Sequence, residues 1–375
     1  MSSSPTRGAG VVAAREERLL GLLAQVPDPR DPRGVRYGLA GLLAVTVCAV
    51  LAGARSFAAV GQWAGDLSPG RLGRLGLDRA PVESTLRKLF TRLDGAALDA
   101  VLAVLAWTKT ALVDGRRVIA IDGKTVRGAR TGDKAAPHLV AALDHRTGVV
   151  LGQVQVEAKS NEIPALRDLL AGFDPADLQG CVITADAMHT QTDTATTVLA
   201  AGAHYVFTVK ANQPGLLARL KHLPWEQVSA HSCTTTGHGR RTTRTLKTLQ
   251  APAWTGFTGA AQVAQLRRTV TKAGKKSVQV VYLITSADHL DAPPTVLASW
   301  VQDHWAIENR LHWVRDVTYD EDRSQVRTGS APRVMATLRS TAISLLRLTG
   351  WTNIAAGLRH HSYSPDRPIT CLITC

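Results

Sequence analysis

VIAIDGKTVRGAR, residues 118–130, sets the reading of the whole chain. Val118, Ile119, Ala120 and Ile121 have the composition of a short buried strand, which delivers Asp122 at its end, followed at once by Gly123 and Lys124. Asp-Gly after a strand is, by itself, an ordinary hairpin signal. A second stretch changes its meaning. CVITADAMHT, residues 181–190, is another short apolar strand that ends on an acid, Asp186. Two strands that each end on Asp point to two carboxylates meeting.

Outward from these strands the pattern predicts an α/β chain. After β-type residues 118–122 come a strand over 138–144, a turn at His145–Gly148 and a strand over 149–158, so three consecutive strands are linked by hairpin-like connections. A helix at 163–172, a strand at 181–185, a helix at 190–201 and a strand at 204–210 then follow as βαβ-like crossovers. The expected product is a mixed sheet with helices on its faces. Residues 212–291 break this rhythm with alternating, Arg- and Lys-dense segments such as HGRRTTRTLKTL and SVQVVYLITS, a β-rich insertion. From 292 to 361 the chain reads as helix again, and 362–375 as a loose tail. Before the sheet, residues 16–115 carry helical periodicity and few strand signals, the mark of a small all-helical domain for binding DNA ends or for dimerisation. Residues 1–15 read as disordered.

The 375 residues, 45% of them hydrophobic, are enough to bury a full core. Against 30 acidic side chains stand 44 basic ones, a net charge of +14. That excess favours a polyanionic partner, because Lys and Arg displace the counterions condensed on phosphates. The cysteines, Cys48, Cys181, Cys233, Cys371 and Cys375, are odd in number and scattered, which suits reduced thiols and a cytoplasmic, nucleoid-associated location. Residues 38–54 hold no charge, yet they are short and rich in Ala and Gly; they read as a buried helix, and no membrane association is expected.

A third acid comes from the late helix. In SWVQDHWAIENRLHWVRDV, residues His304, Glu308, His312 and Arg315 would share one stripe of a regular helix, beside an apolar stripe of Ile307, Leu311 and Val314. Asp122, Asp186 and Glu308 together would suffice to hold two divalent cations. Phosphoryl transfer on DNA needs an activated oxygen, a stabilised leaving oxygen and in-line positioning, and two Mg²⁺ ions on hard carboxylates supply all three. A zinc site on His304, Glu308 and His312 is the weaker use of the same helix, since no HExxH motif or cysteine cluster accompanies it.

These residues carry a resemblance. DPRDPRGVRYGLAGLLAV, IAIDGKTVRGA, HLVAALDHRTGVVLGQVQVEAKSNEI, ITADAMHTQ, YVFTVKANQP, HWAIENRLHWVRDVTYDEDRSQVRTG and NIAAGLRHH run in order over residues 25–361 and resemble the DDE-type insertion-sequence transposases, in the subgroup of the H-repeat-associated proteins. The resemblance implies a ribonuclease-H-like core, interrupted by the β-rich insertion, over 116–211 and 292–361. It implies Asp122, Asp186 and Glu308 as the Mg²⁺-binding triad, with Mn²⁺ as a substitute, Lys124 and Arg127 near the cleaved phosphate, and Asn161 beside the site. Arg310, His312 and Trp313 follow the last acid and join the DNA-contact candidates, as do Lys159, Lys210, Arg240, Arg241 and Arg244. The expected activity is cleavage and strand transfer of double-stranded DNA at terminal inverted repeats, with self-association to at least a dimer so that two ends are held together. A structure-specific endonuclease without joining activity, or an inactive DNA-binding relic, is the alternative; the intact triad argues against the relic. The chain departs from the pattern where HGRRTTR lacks an expected acid, at Gln302, and at Arg315, where Leu is usual.

Overall fold

The structure is a computed structural model that describes residues 19–110, 116–132, 135–156, 160–237 and 239–374. Helices α1 (Leu19–Leu23), α2 (Leu39–Leu51), α3 (Phe57–Gly65), α4 (Pro69–Arg74), α5 (Glu83–Phe90) and α6 (Gly95–Lys109) come first, then strands β1 (Val118–Thr125), β2 (His138–Asp144) and β3 (Val150–Gln155). Next are α7 (Glu162–Ala171), the short α8 (Pro175–Leu178), β4 (Val182–Ala185), α9 (Thr192–Ala200), β5 (His204–Val209) and α10 (Pro214–Lys221). Strands β6 (Ala230–Gly237), β7 (Arg240–Gln250), β8 (Gln262–Lys272) and β9 (Lys275–Thr285) lead to α11 (Pro294–His304). Two π-helical turns, Glu308–His312 and Val314–Thr318, precede α12 (Ala331–Leu348), α13 (Ile354–Ser362) and α14 (Asp366–Thr374). The fold is mixed α/β: an N-terminal helical region and a nine-stranded mixed sheet.

The chain divides into two compact units. The first comprises Met1–Val113, Gly123–Ser160 and Ile307–Cys375, and the second Asp114–Asp122 and Asn161–Ala306. In the first unit β3, β2 and the end of β1 are neighbours in that order, with β2 and β3 antiparallel. Its core forms around two buried helices. α2 is the uncharged stretch 38–54 read as a buried helix, and Leu42, Leu43, Val45, Val47 and Val50 are all fully buried in it. Each such side chain contributes about 1.5–3 kcal/mol, and no described helix is long and apolar enough to cross a membrane. α12 is buried along nearly its whole length, including polar groups. Asp99 of α6 accepts from Arg333 Nε (3.0 Å) and Nη2 (2.8 Å), Thr337 Oγ1 (2.7 Å) and Gln153 Nε2 (2.9 Å), which ties α6, α12 and β3 by one carboxylate.

In the second unit the order is the start of β1, then β4, β5, β9, β8, β7 and β6. β1, β4 and β5 are parallel and mostly apolar where they pair, as suits strands covered on both faces. From β9 onward every pairing is antiparallel. Helix α11 covers the base of these long strands, where Leu246, Ala264 and Leu283 meet Leu297, Trp300 and Val301.

Three expectations are corrected. The tail beyond 361 is not loose: α14 buries Ile369 and Leu372, and Asp366 at its start lies 2.6 Å from Arg71. Residues 212–291 begin with a helix, α10, started by Pro214 at its first turn. The regular helix expected over SWVQDHWAIENRLHWVRDV is broken: α11 ends at His304, the chain turns at Trp305 and resumes with widened turns. The single regular stripe through His304, Glu308, His312 and Arg315 therefore does not exist. The strand expected at 149–158 is described to Gln155 as strand, and part of its remainder, 157–158, lies outside the described residues.

Candidate active site

In the second unit two acids stand at the carboxyl ends of neighbouring parallel strands. β1 and β4 are in register from Val118 with Val182 to Ile121 with Ala185, and the next position on each strand is an acid, Asp122 and Asp186. Parallel strands lie about 4.8 Å apart, and side chains in register leave the same face. The register thereby gives the two acids equivalent positions just past the paired residues of adjacent strands. Asp122 is half-buried. Asp186 is half-exposed, and Lys210, just past the end of β5, places Nζ 3.0 Å from its Oδ1. Burial pushes the Asp186 carboxyl up, but the Ala187 amide, Lys210 and the neighbouring His304 bring it below the ordinary value, so it is ionised at neutral pH. His304 bonds Thr184 Oγ1 through Nδ1 at 2.9 Å, and burial pulls its pKa down to about 4, so its ring is neutral.

The loops behind these acids are fixed. Asn212 donates to the Ala187 carbonyl at 2.6 Å and Gln213 to the Thr190 carbonyl at 2.8 Å, so the turn after Asp186 is held by the KANQ stretch after β5. Asn161, expected beside the site as a DNA contact, caps α7: its Oδ1 accepts from the Ile163 amide at 2.9 Å. Its neighbour Glu162 lies 3.7 Å from the buried ring of His189. Lys159 lies outside the described residues.

In the first unit the first π-helical turn presents Glu308. Its side chain is 63% exposed, while His312 is buried and lies 3.1 Å away, Nδ1 to Oε2. The His312 hydrogen bond lowers the Glu308 pKa against the effect of partial burial, and the charges of Lys124 and Arg127 add to it. Lys124, only 8% exposed, is engaged by Asp316 of the second π turn, Nζ to Oδ2 at 2.6 Å. Arg127 is 75% exposed with a loose partner, Asp322, at 3.6 Å. Arg310 donates to the His145 carbonyl at 2.7 Å and holds the β2–β3 turn, and Trp313 is exposed. Arg315, the departure from the family pattern, is fully buried against Glu321, which it shares with Arg339 at 3.0 Å. The two guanidiniums hold the Glu321 pKa down to about 2 although burial alone would raise it. Gly128 packs so closely on this loop that a Cβ there would meet the Glu321 carbonyl at 2.5 Å.

A sequence profile described as Transposase DDE domain matches residues 114–345, the stretch that holds all three acids. The chain belongs to the DDE transposase family. A second profile, described as DDE_Tnp_1-associated, matches residues 20–108, the helical region ahead of the DDE domain. Relatives of this DDE transposase include the "Putative transposase YncI" of Escherichia coli O157:H7, 32% identical over 88% of this chain and 87% of the relative. The "H repeat-associated putative transposase YhhI" of Escherichia coli strain K12 is 29% identical over 92% and 93%. Among solved structures, a piggyBac transposase synaptic complex with hairpin DNA aligns with a TM-score of 0.45 at 13% identity, covering 99% of this chain and 84% of that one. DDE transposases cleave and join DNA strands and use divalent metal, so DNA is this enzyme's partner.

Asp316, Glu321 and Arg339 were not found by sequence reasoning. Lys124 and Asp316 are 192 positions apart, and no local spacing announces such a pair; Glu321 joins Arg315 and Arg339, 6 and 18 positions away, across the loop between the second π turn and α12. Arg240, Arg241 and Arg244 all stand on β7; the register puts Arg240 and Arg244 on one face of the strand and Arg241 on the other.

Proposed function

We propose that Asp122, Asp186 and Glu308 are the metal-holding carboxylates of this transposase, which cuts DNA at the terminal repeats of its own element and transfers the freed ends to target DNA. The observation that carries the assignment is the register of β1 and β4, which gives Asp122 and Asp186 equivalent positions at the strand ends. The donor set fits a hard divalent cation: Asp186 and Glu308 are both shifted toward the ionised form and both keep oxygens open to solvent. A pair of Mg²⁺ ions, with Mn²⁺ as substitute, supplies on binding the activation of the attacking oxygen and stabilisation of the leaving one.

The chain's own side chains do the positioning. Lys210 fixes one oxygen of Asp186 and leaves the other, and His312 does the same for Glu308. Arg127, exposed and loosely paired, is better disposed to contact a DNA phosphate than Lys124, whose ammonium is engaged by Asp316. Antiparallel β2–β3, parallel β1–β4–β5 and flanking helices support a ribonuclease-H-like core. Holding two element ends together requires at least a dimer on DNA.

The test is cleavage of a labelled duplex carrying the element's terminal sequence, in Mg²⁺, Mn²⁺ or EDTA, with wild type and Glu308→Gln. Terminal nicking that needs the metal and is lost in the variant, while duplex binding persists, is expected. Cleavage that survives in Glu308→Gln, or in Asp122→Ala, overturns the triad. Supplying unlabelled target duplex reads joining; nicked ends that never join would instead favour an endonuclease.

A further inference from the structure

Between Glu226 and Asp288 the sequence has no acid, yet it carries Arg240, Arg241, Arg244, Lys247, Arg267, Arg268, Lys272, Lys275 and Lys276. These residues lie on β7, β8 and β9. The register sorts them. Arg240, Lys272 and Lys275 stand directly across from one another in a row over three strands. Four residues further along, Arg244 stands across from Arg268. An even spacing puts both rows on the same face, about 13 Å apart along the strands and about 4.8 Å apart between strands. The opposite face carries Arg241, Lys247, Arg267 and Lys276, but there each cation is opposed only by uncharged residues: Arg241 by Thr271, Lys247 by Ala230 and Gln265, Arg267 by Thr245 and Val280, and Lys276 by Thr271.

Like charges directly opposed across strands destabilise a sheet. Here they recur in two rows with no carboxylate in the segment to offset them. Charge on a sheet commonly serves to blunt an exposed edge, but the edge strand β6, AHSCTTTG, holds no Lys or Arg, and the cations lie on the strands inside it. Arg240, Lys272 and Lys275 are exposed. Arg244 is held below its ordinary pKa by burial and by the charges of Arg268 and Arg240, and Arg268 Nε, screened from solvent, has no hydrogen-bond partner among the described residues. The face is short of anions.

We infer that this face of the β7–β8–β9 sheet, through Arg240, Arg244, Arg268, Lys272 and Lys275, docks the sugar–phosphate backbone of double-stranded DNA without regard to its sequence. The inference rests on DNA being the transposase's partner and not on the carboxylate assignment. Phosphates placed over the two rows would relieve the repulsion within them, and Arg and Lys contacts to backbone alone carry no base readout.

The experiment compares two full-length variants that remove equal charge: Arg268→Gln/Lys272→Gln/Lys275→Gln on the proposed face and Arg241→Gln/Arg267→Gln/Lys276→Gln on the other. Binding to a terminal-repeat duplex and to an unrelated duplex is measured in EDTA across a salt series, so a failed metal assignment leaves the result readable. Each lost phosphate contact should flatten the slope of log K against log salt by about 0.9, roughly a tenfold loss of affinity at 0.1 M salt. The first variant should lose that for both duplexes alike, the second much less, and the first should unfold at no lower temperature than wild type because repulsion has been removed. Equal loss from both faces, no loss, or a loss confined to the terminal sequence overturns the inference.

Discussion

At the scale of single residues, the acids of this transposase are held by partners that differ in kind. Asp186 has an exposed ammonium, from Lys210, and Glu308 a buried imidazole, from His312. Lys210→Met should leave the Asp186 carboxylate in place but less firmly oriented, raising the metal concentration needed for half-maximal cleavage more than it lowers the rate at saturating metal; a metal titration of cleavage checks this. A variant that loses rate at saturating metal and keeps the midpoint would place Lys210 against DNA instead. Gly128→Ala is a structural counterpart. Its Cβ would press on backbone at Glu321 and Ser324, at 2.5 and 2.9 Å, and backbone cannot swing aside as a side chain can. A loss of about 1–3 kcal/mol in urea unfolding is expected.

Among the elements, the loop after the second π turn depends on one buried acid. Glu321 faces Arg315 and Arg339, all three fully buried. Replacing the acid strands two guanidiniums, so Glu321→Gln should cost about 3–5 kcal/mol. The sign of its pH dependence follows from the pKa, which is depressed from 4.5 to about 2. The unfolded chain takes up the proton first as pH falls, so this stability is complete above about pH 4.5 and is lost on the way down to about pH 2. Acid unfolding of wild type should be steep across that window and shallower in Glu321→Gln; identical profiles would show that the triad does not set acid stability. Such pairings explain where sequence reading succeeds and fails. The starts of β1, β4 and β5 were legible because strands buried on both faces need unbroken apolar runs, and the Asp after each of the first two stands out against them. α14 was not, because its apolar stripe of Ile369 and Leu372 is diluted by Thr and Cys. The π turns were not, because a widened turn shares the composition of an ordinary helix. Glu321 was not, because it stands in a loop of mixed charge and only the folded chain brings Arg315 and Arg339 over it.

On the scale of the molecule, charge is distributed unevenly along the chain. The excess of +14 is concentrated in part where acids are missing, from Val228 to Ala287, while the helical region and the segments around the acids mix both signs. Duplex affinity should therefore fall steeply with salt for the whole protein, with part of that slope assignable to the β7–β9 face; a slope near zero would contradict a phosphate-dominated interaction. The DDE domain's profile match over 114–345 embraces this segment, so the acid-free strands are part of the catalytic domain's own stretch of chain.

The π turn at Glu308–His312 also bears on how such a chain can vary over generations. A π turn accommodates one residue more than an α turn closing the same stretch. Deleting a single residue between Trp305 and Glu308 while the π turn persists would swing every later side chain of the segment by about 100°. Substitutions around Glu308 alter one contact at a time, whereas a one-codon deletion would move Glu308, His312 and Asp316 together. In this segment inheritance has to preserve the count of residues as well as their chemistry.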